Sequence, residues 1–356
     1  MIDRVRLRRG MPALLLPLAL SLAMVAAGCD TAGGEGGPQA EQRVTLVTDE
    51  SWELPRELRA AFERQTDLKL VHRKVGRTPA ELVERLAAHK GKPFGDVVAG
   101  IDTSTVTGAL AGGTLAPYTS PEANKGQQRF SVDKRQRLSA LDRLTVCVNV
   151  DEDWFAERNE APPERAADLT SAAYRRLLAV PSPQSTADGT GFLLGSVARE
   201  GEDGWRPFWS RLKANGVRVL ASTAEVREHY TAASGDGDRP LVVGPATLPG
   251  MLSDENDTTT SVLPDTCHEQ VRYAGVLAEA PNSRRAGRLL DFLLTQQFQQ
   301  AVPEALGTYP VRQGVELPDG WDDVAAPPED ATTLPARDAY AGRERWVSRW
   351  AETMAN

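Results

Sequence analysis

The chain has 356 residues, of which 41% are hydrophobic and 25% charged, and it contains 30 glycines, 24 prolines and three cysteines. This ordinary globular composition excludes a collagen-like, an intrinsically disordered or a disulfide-scaffold protein. The formal charge of −8 argues against a nucleic-acid-binding protein, because phosphate contacts require a basic surface. At roughly 150 residues per domain, the length predicts two folded lobes.

The first 28 residues have the pattern of an export signal. Four arginines precede an apolar run that is shorter than the ~20 residues of a membrane-spanning helix. The run ends in small residues directly before Cys29, and this arrangement resembles a bacterial lipoprotein signal. The resemblance implies cleavage before Cys29, diacylation of its sulfur, and a lipid anchor at the extracytoplasmic face of the cell membrane. A plain secretory signal and an uncleaved anchor are the alternatives.

Residues 29–42 are rich in glycine and predict a flexible tether ahead of the folded body. If Cys29 is acylated, Cys147 and Cys267 remain as a pair. Because an exported protein lies in an oxidising compartment, the simplest expectation is a disulfide between them. Two buried free thiols are the alternative.

Short β-rich segments alternate with helical segments from residue 44 onward. The predicted strands lie at 44–48, 68–72, 96–100 and 144–150, with helices at 54–66, at 78–90 and up to 112. Thr78, Pro79 and Glu81 have the residue types of a capped helix start. The order strand, helix, strand, helix, strand favours a parallel α/β lobe with right-handed crossovers.

The same alternation restarts after the fourth strand. Helices are predicted near 165–177, from about 190, at 205–216 and at 224–233, with strands at 178–181, 217–220 and 241–244. A strand at 271–277 returns towards the first lobe, followed by helices at 283–300 and 336–354. The sequence therefore predicts an α/β fold in which residues 43–147 and 268–356 form lobe 1 and residues 148–267 form lobe 2.

Two α/β lobes joined by strands in an exported chain indicate a solute-binding protein, in which hinge closure traps a ligand between the lobes. In open α/β sheets the binding crevice lies beyond the carboxyl ends of the strands, so residues directly after strands are the candidate contacts. These candidates are Asp49, Glu50, Ser51, Trp52, Asp102, Thr103, Ser185, Thr186, Gly189, Thr190 and Thr247.

Several short segments resemble the thiamine-binding family of bacterial ABC importers. Residues 113–118 are similar to the family's G-L-F-A-P-Y stretch, and residues 183–191 to its P-R-T-S-T-P-G-L-G loop. Further similarity lies at 96–102 and in the C-terminal segments 298–303, 309–311 and 345–350. The resemblance covers nearly the whole body. It implies a two-lobed type II periplasmic-binding-protein fold, a thiamine-like small molecule as ligand, an ABC permease as partner, a monomer and no cofactor.

The positions that would contact thiamine depart from the family pattern. The family holds the thiamine rings with aromatic side chains, since aromatic faces stabilise a cationic ring. Residues 221–224 and 243–250, where the family has these aromatics, contain none. Asp142 and Arg143 stand at the family's D-Y-G position, and an arginine in the cleft would repel a cation. Two ligand classes therefore stay open: thiamine or a close relative, and an unrelated small solute or anion.

A structural role competes with the ligand role at each candidate. Trp52 either stacks on a ligand ring or packs a helix onto the sheet, and Asp102 either binds a cationic group or caps the next helix. The loop at 185–190 precedes a helix and suits a phosphate or carboxylate, or it is an ordinary capped turn. Tyr309 is either a ligand contact or part of the core.

Other classes of protein have less support. The four histidines lack metal-ligand spacing and there is no G-x-S-x-G motif, so neither a metal site nor an enzyme is predicted. A ferric-binding protein would need clustered tyrosines or histidines with carboxylates, and the tyrosines are isolated. A sensor or adhesion lipoprotein on the same fold is a further alternative.

Overall fold

The computed structural model describes residues 42–234, 236–253 and 259–355. The lipidation predicted at Cys29 and the predicted signal peptide lie outside these ranges. Within them, none of the helices combines the length and the hydropathy of a transmembrane span.

The described ranges contain nine strands, most of which lie at or near the positions that the sequence predicts. They are β1 (Arg43–Thr48), β2 (Lys69–Lys74), β3 (Val97–Asp102), β4 (Ser139–Asp151), β5 (Leu178–Pro181), β6 (Arg218–Leu220), β7 (Leu241–Pro245), β8 (Thr260–Val276) and β9 (Tyr309–Pro310). They form one sheet in the order β2-β1-β3-β8-β4-β7-β5-β6, with β9 paired to β4.

The described helices fill the connections between these strands. They are α1 (Arg56–Thr66), α2 (Pro79–Ala88), α3 (Val106–Gly112), α4 (Glu152–Glu157), α5 (Ala187–Ala214), α6 (Thr223–Glu228), α7 (Leu248–Leu252), α8 (Ser283–Leu293), α9 (Gln296–Leu306), α10 (Trp321–Val324) and α11 (Ala336–Ala355). The predicted cap of α2 is confirmed, because the Glu81 N–H donates to Thr78 Oγ1 at 3.3 Å.

The sheet has two parallel groups of strands joined by two long antiparallel strands. The strands β2, β1 and β3 are parallel to one another, as are β6, β5 and β7. Between the groups, β4 and β8 run antiparallel and pair over most of their length. We call the β2-β1-β3 group with its helices the first lobe, the β6-β5-β7 group with its helices the second lobe, and β4 and β8 the hinge strands. The predicted two-lobed α/β fold is thereby confirmed.

Each parallel group is buried on both faces, as parallel sheets require. In the first lobe, one apolar cluster includes Val44, Phe62 and Leu289, and another on the opposite face includes Val47 and Leu82. The larger cluster of the second lobe packs β5, β7 and α5 around two tryptophans of α5. Separate apolar cores allow the lobes to act as separate bodies about the hinge strands.

A disulfide joins the two hinge strands. Cys147 of β4 and Cys267 of β8 are bonded across a sequence separation of 120 residues, as the sequence predicts. Both sulfurs are buried, in a small cluster with Ala246 and Tyr309. The bridge therefore links the segments that cross between the lobes.

Two helix predictions were wrong. The segment at 165–177 forms two short 3₁₀ helices separated by Ser171, which is extended. Asn215 Nδ2 holds this break, because it donates to the carbonyls of Leu169 and Ser171 at 2.8 and 2.7 Å. The segment at 283–300 is divided into α8 and α9 at Thr295, which is extended and caps α9. In each case a hydrogen bond from a polar side chain competes with helix continuation.

Other predicted boundaries changed less. Both hinge strands are longer than predicted, and the predicted helix at 224–233 ends at Glu228. The two helices predicted between 190 and 216 are both present as the two halves of α5, which the non-helical backbone of Gly201 divides, where φ is 74°. The terminal α11 places Trp346 and Trp350 in the core of the second lobe, although residues 268–356 were assigned to lobe 1.

Candidate functional site

A cavity of about 680 Å³ lies where the two lobes meet. The first lobe contributes the loops after β1 and β2, and the second contributes the loop and first turn at the start of α5, the segment from Ala221 into α6, the end of β7, and α7. The end of α9 and one residue from each hinge strand complete the wall. We call this space the cleft cavity. Its position at the carboxyl ends of parallel strands is the one at which open α/β sheets bind ligands.

Four of the predicted contacts line the cleft cavity: Glu50 and Ser51 from the first lobe, and Ser185 and Thr186 from the second. Thr186 caps α5, since its Oγ1 accepts from the Gly189 N–H at 3.0 Å. The backbone N–H groups of Ala187 and Asp188, which directly follow Thr186, are the donors that a helix start leaves without an intrahelical partner. This corner of the cleft cavity therefore offers hydrogen-bond donors to a polar ligand.

Trp52, the predicted stacking residue, lies outside the wall of the cleft cavity. It is 1% exposed and belongs to the first-lobe core. Its ring stacks on Phe298 at a centroid separation of 6.5 Å and meets His72 edge-on at 6.0 Å. The structure therefore favours the alternative packing role for Trp52.

Asp102 and Thr190 line a second, smaller cavity of about 210 Å³. The carboxylate of Asp102 accepts from the hydroxyls of Ser104 and Thr105 at 2.8 Å each, so its hydrogen bonds lie within the segment just before α3. Thr190 donates to the Pro183 carbonyl at 3.0 Å. The structure does not bring these two residues into the cleft cavity.

Asp142 and Arg143 are neighbours on β4 with separate partners. Asp142 is fully buried and forms a bidentate ion pair with Arg272 of β8. Arg143 pairs with Glu269 at 3.0 Å and lies 5.5 Å from the Tyr309 ring centroid. Neither Asp142 nor Arg143 lines the cleft cavity, so the arginine expected to repel a cation is not the one exposed to it.

The remaining candidates make contacts within the protein. Thr103 Oγ1 accepts from the Val271 N–H at 2.9 Å, and Thr247 donates to the Gly307 carbonyl at 2.8 Å. Tyr309 is buried and donates to the Ala325 carbonyl at 2.9 Å, so its core role is favoured. A Cβ on Gly189 would lie 2.4 Å from the Pro181 carbonyl oxygen, which explains the glycine by close packing.

Sequence reasoning missed three charged residues of the wall, Arg77, Arg227 and Arg272, while the fourth, Asp188, lies within the candidate loop at 185–190. Arg77 lies in the loop after β2 and Arg227 in the last turn of α6, so neither directly follows a predicted strand. Arg272 lies within a strand, and a single charged residue in the run V-R-Y-A-G-V was a signal that could have been used.

Burial disfavours the charged form of two carboxyl groups near Arg272. Burial raises the pKa of Asp49, although hydrogen bonds from the Ser51 hydroxyl and backbone N–H oppose the shift. Burial likewise raises the pKa of Asp188, opposed by a hydrogen bond from Thr223 Oγ1 at 2.7 Å. Arg272 attracts both carboxylates. The site thus combines three guanidinium groups, those of Arg77, Arg227 and Arg272, with carboxylates from both lobes.

The wall of the cleft cavity has no aromatic side chain among the described residues. Its apolar part consists of aliphatic residues and a methionine, including Leu144, Val226, Leu248 and Met251. A cationic ring would therefore find no aromatic face to stack on in this structure. The described part of the chain also holds no group of three or more histidine, cysteine or acidic residues that could bind a metal ion.

Two lobes, two hinge strands and a cavity between the lobes define a solute-binding protein. A family model described as bacterial extracellular solute-binding protein matches residues 92–333, and the chain belongs to that family. The family is one of extracellular solute-binding proteins.

Known relatives agree with the predicted resemblance. The thiamine-binding periplasmic protein of Brucella abortus is 23% identical over 326 residues, which cover 88% of this chain and 92% of the relative. A solved periplasmic thiamin binding protein has a TM-score of 0.76 at 22% identity and covers 90% of this chain and 98% of its own. A Bordetella ferric binding protein has a TM-score of 0.65 at 22% identity, covering 87% and 98%. These structural likenesses establish the type II fold, which is shared by proteins named for different ligands.

Proposed function

We propose that the protein is the solute-capturing component of an ABC importer, held at the extracytoplasmic face of the bacterial membrane by a lipid on Cys29. It would act as a monomer and deliver its solute to a membrane permease. Family membership supports solute capture, and the arginine-rich and apolar sequence before Cys29 supports the anchor. We also propose that the boundaries between the lobes lie at residues 147/148 and 267/268, with α11 packed against the second lobe.

The observation that carries the proposal is the composition of the cleft cavity wall. Both lobes and both hinge strands contribute to it, so rotation about β4 and β8 would close the lobes around a bound molecule. A volume of about 680 Å³ lies in the range of small-molecule sites. Because the wall is charged and lacks aromatic faces among the described residues, a polar, non-aromatic solute fits better than thiamine.

Thiamine is the second candidate ligand. It is favoured by the names of the similar proteins, including the Brucella abortus relative and the solved thiamin binding protein. Calorimetric titration distinguishes the two. If thiamine or its phosphate binds with micromolar affinity, thiamine is the solute. If it does not bind below about 1 mM while a non-aromatic solute does, the first proposal stands.

Blocking the cleft cavity tests solute capture itself. Ala221 lines the cavity but is exposed, so Ala221→Trp should fill the cleft without disturbing the core. Ala156 is exposed on α4, away from the cavity, and Ala156→Trp is the matched control. We expect solute to raise the melting temperature and reduce the radius of gyration of the control but not of the blocked variant. Equal responses of the two variants would place capture elsewhere.

The lipid anchor is tested by substituting Cys29. Cys29→Ala should abolish acylation, because the sulfur to be modified is absent, and the variant should partition into the aqueous phase on detergent extraction. Mass spectrometry of the N-terminal peptide checks the loss of the acyl groups. An acyl mass retained on Cys29→Ala would contradict the anchor.

A further inference from the structure

Arg272 is an unusual residue for the wall of a cavity, because it lies within hinge strand β8 and is only 6% exposed. Asp142 of β4 fixes its guanidinium: Nε donates to Oδ1 at 2.6 Å and Nη2 to Oδ2 at 2.9 Å. Nη2 also lies 3.4 Å from Thr308 Oγ1. A bidentate pair of this kind sets the direction of the guanidinium as well as its position.

This arrangement leaves one nitrogen of Arg272 available to a ligand. Nη1 has no hydrogen-bond partner among the described residues, while Arg272 lines the cleft cavity. Arginine cannot lose its proton in a protein, so Nη1 offers donors at any pH at which the protein is folded. The natural partner of such donors is an oxyanion, either a carboxylate or a phosphonate-like group.

The same cavity holds carboxylates on both sides of Arg272. Glu50 of the first lobe lines the cavity, and its side chain makes no hydrogen bond or ion pair within the described chain. Asp188 of the second lobe also lines it and keeps one carboxylate oxygen free of the Thr223 bond. Asp49, buried beside Arg272, adds negative charge without reaching the cavity. Arg77, which pairs with Glu81 at 3.0 Å, and Arg227 also line the cavity, so the carboxylates of Glu50 and Asp188 are the part of the wall that attracts an ammonium group.

We infer that the cleft selects a small zwitterion, whose oxyanion binds Arg272 Nη1 and whose ammonium lies against Asp188 and Glu50. The inference rests on the proposed solute-capture function and names its substrate class. An anion without an ammonium would be attracted by Arg227 and Arg272 but would leave the carboxylates of Glu50 and Asp188 without a partner, and a cation without an oxyanion would meet these arginines and leave the donors of Arg272 unpaired. Juxtaposed like charges and unpaired polar groups are the means by which binding sites reject such partners.

Probes built on one carbon skeleton test this selectivity. Aminopropylphosphonate carries both charges, propylphosphonate only the negative one and propylamine only the positive one; γ-aminobutyrate replaces the phosphonate by a carboxylate. We expect at least one zwitterion to bind the purified full-length protein roughly tenfold more tightly than either single-charge probe. Equal binding of a single-charge probe, or no binding of either zwitterion at about 10 mM, would overturn the inference.

Paired substitutions test the role of Arg272. Replacing Arg272 alone would leave Asp142 buried without its counter-ion, so the double variant Asp142→Asn/Arg272→Gln removes both charges. Arg137 and Asp133 form a similar two-bond pair that does not line the cleft cavity, and Asp133→Asn/Arg137→Gln is the matched control. We expect the first double variant to lose at least tenfold in affinity for the zwitterion and the control to change less than twofold.

Two further results separate this inference from the proposed function. Asp188→Asn should weaken the zwitterion while leaving propylphosphonate binding unchanged or stronger, because only the zwitterion carries an ammonium. A titration with thiamine completes the series. If thiamine alone binds and Ala221→Trp blocks it, solute capture stands and the zwitterion inference falls. If the cleft variants alter no binding at all, solute capture at this cleft falls as well.

Discussion

Buried polar residues carry much of the chemistry of this protein at the scale of single residues. Asp142 and Arg272 neutralise each other in the hinge, where an unpaired charge of either sign would be costly. His268 precedes Arg272 by four residues on β8. It is 1% exposed, and its Nδ1 is hydrogen-bonded to Thr332 Oγ1 at 3.0 Å. Burial lowers the pKa of His268 from 6.5 to about 4. The histidine is therefore neutral in the folded state at neutral pH.

This shift predicts a loss of stability in weak acid. Between pH 6.5 and about 4, His268 is protonated in the unfolded chain but not in the folded chain. The contribution of the neutral, buried His268 to the free energy of unfolding is therefore full above pH 6.5 and is lost as the pH falls towards 4. The loss reaches about 3 kcal/mol, on the order of 1.4 kcal/mol per unit of pKa shift.

Urea unfolding of wild type and His268→Gln across this range measures the effect. The free energy of unfolding of wild type should decline relative to that of the variant, which has no group to titrate at this position. A constant difference between the two proteins from pH 7 to pH 4 would contradict the assignment.

At the scale of elements, the disulfide between Cys147 and Cys267 of the hinge strands contributes to the stability of the folded protein. It closes a loop with a sequence separation of 120 residues, for which the chain-entropy relation gives about 4–5 kcal/mol of stabilisation. The double variant Cys147→Ala/Cys267→Ala should lose stability of that order in urea unfolding. Dithiothreitol should destabilise wild type and leave the variant unchanged. Equal midpoints for wild type with and without the reductant would refute this contribution.

The succession of strands and helices along the chain and the two-lobed α/β fold could be predicted from the sequence, because buried parallel strands appear as apolar runs separated by capped helices. Residues 96–100, for example, lie within or next to β3, and Pro79 starts α2 as its pattern indicates. The helix predicted at 165–177 failed because Asn215, distant in sequence, binds its carbonyls. Local periodicity contains no information on such long-range hydrogen bonds.

The candidate site was only partly accessible to the same reasoning. Position after a strand correctly placed Glu50, Ser51, Ser185 and Thr186 at the cleft cavity. It could not separate Trp52, which turns into the core, from its neighbour Ser51, because the direction of a side chain in a loop depends on tertiary packing. Arg272 was missed because it reaches the cavity from within a strand.

At the scale of the whole molecule, the lobes are linked by more than the hinge strands. The helix α11 contacts the first lobe where Thr107 donates to the Ala336 carbonyl at 3.3 Å. Its C-terminal half places Trp350 against Trp209 of the second lobe, with ring centroids 5.6 Å apart. Under the proposed function, closure of the cleft would preserve or shift these contacts, and we expect α11 to follow the second lobe, with which it shares the larger apolar contact.

The solute that the protein carries is measured most directly by mass spectrometry of small molecules released from the full-length protein after native purification. The charged cleft, without aromatic faces among its described residues, predicts a non-aromatic zwitterion released from wild type and absent from Ala221→Trp purified in parallel. Release of thiamine or a thiamine phosphate from wild type, and its loss from the blocked variant, would contradict the proposed ligand class while locating capture in the same cleft. Equal release of any solute from both proteins would contradict the assignment of the cleft cavity as the binding site.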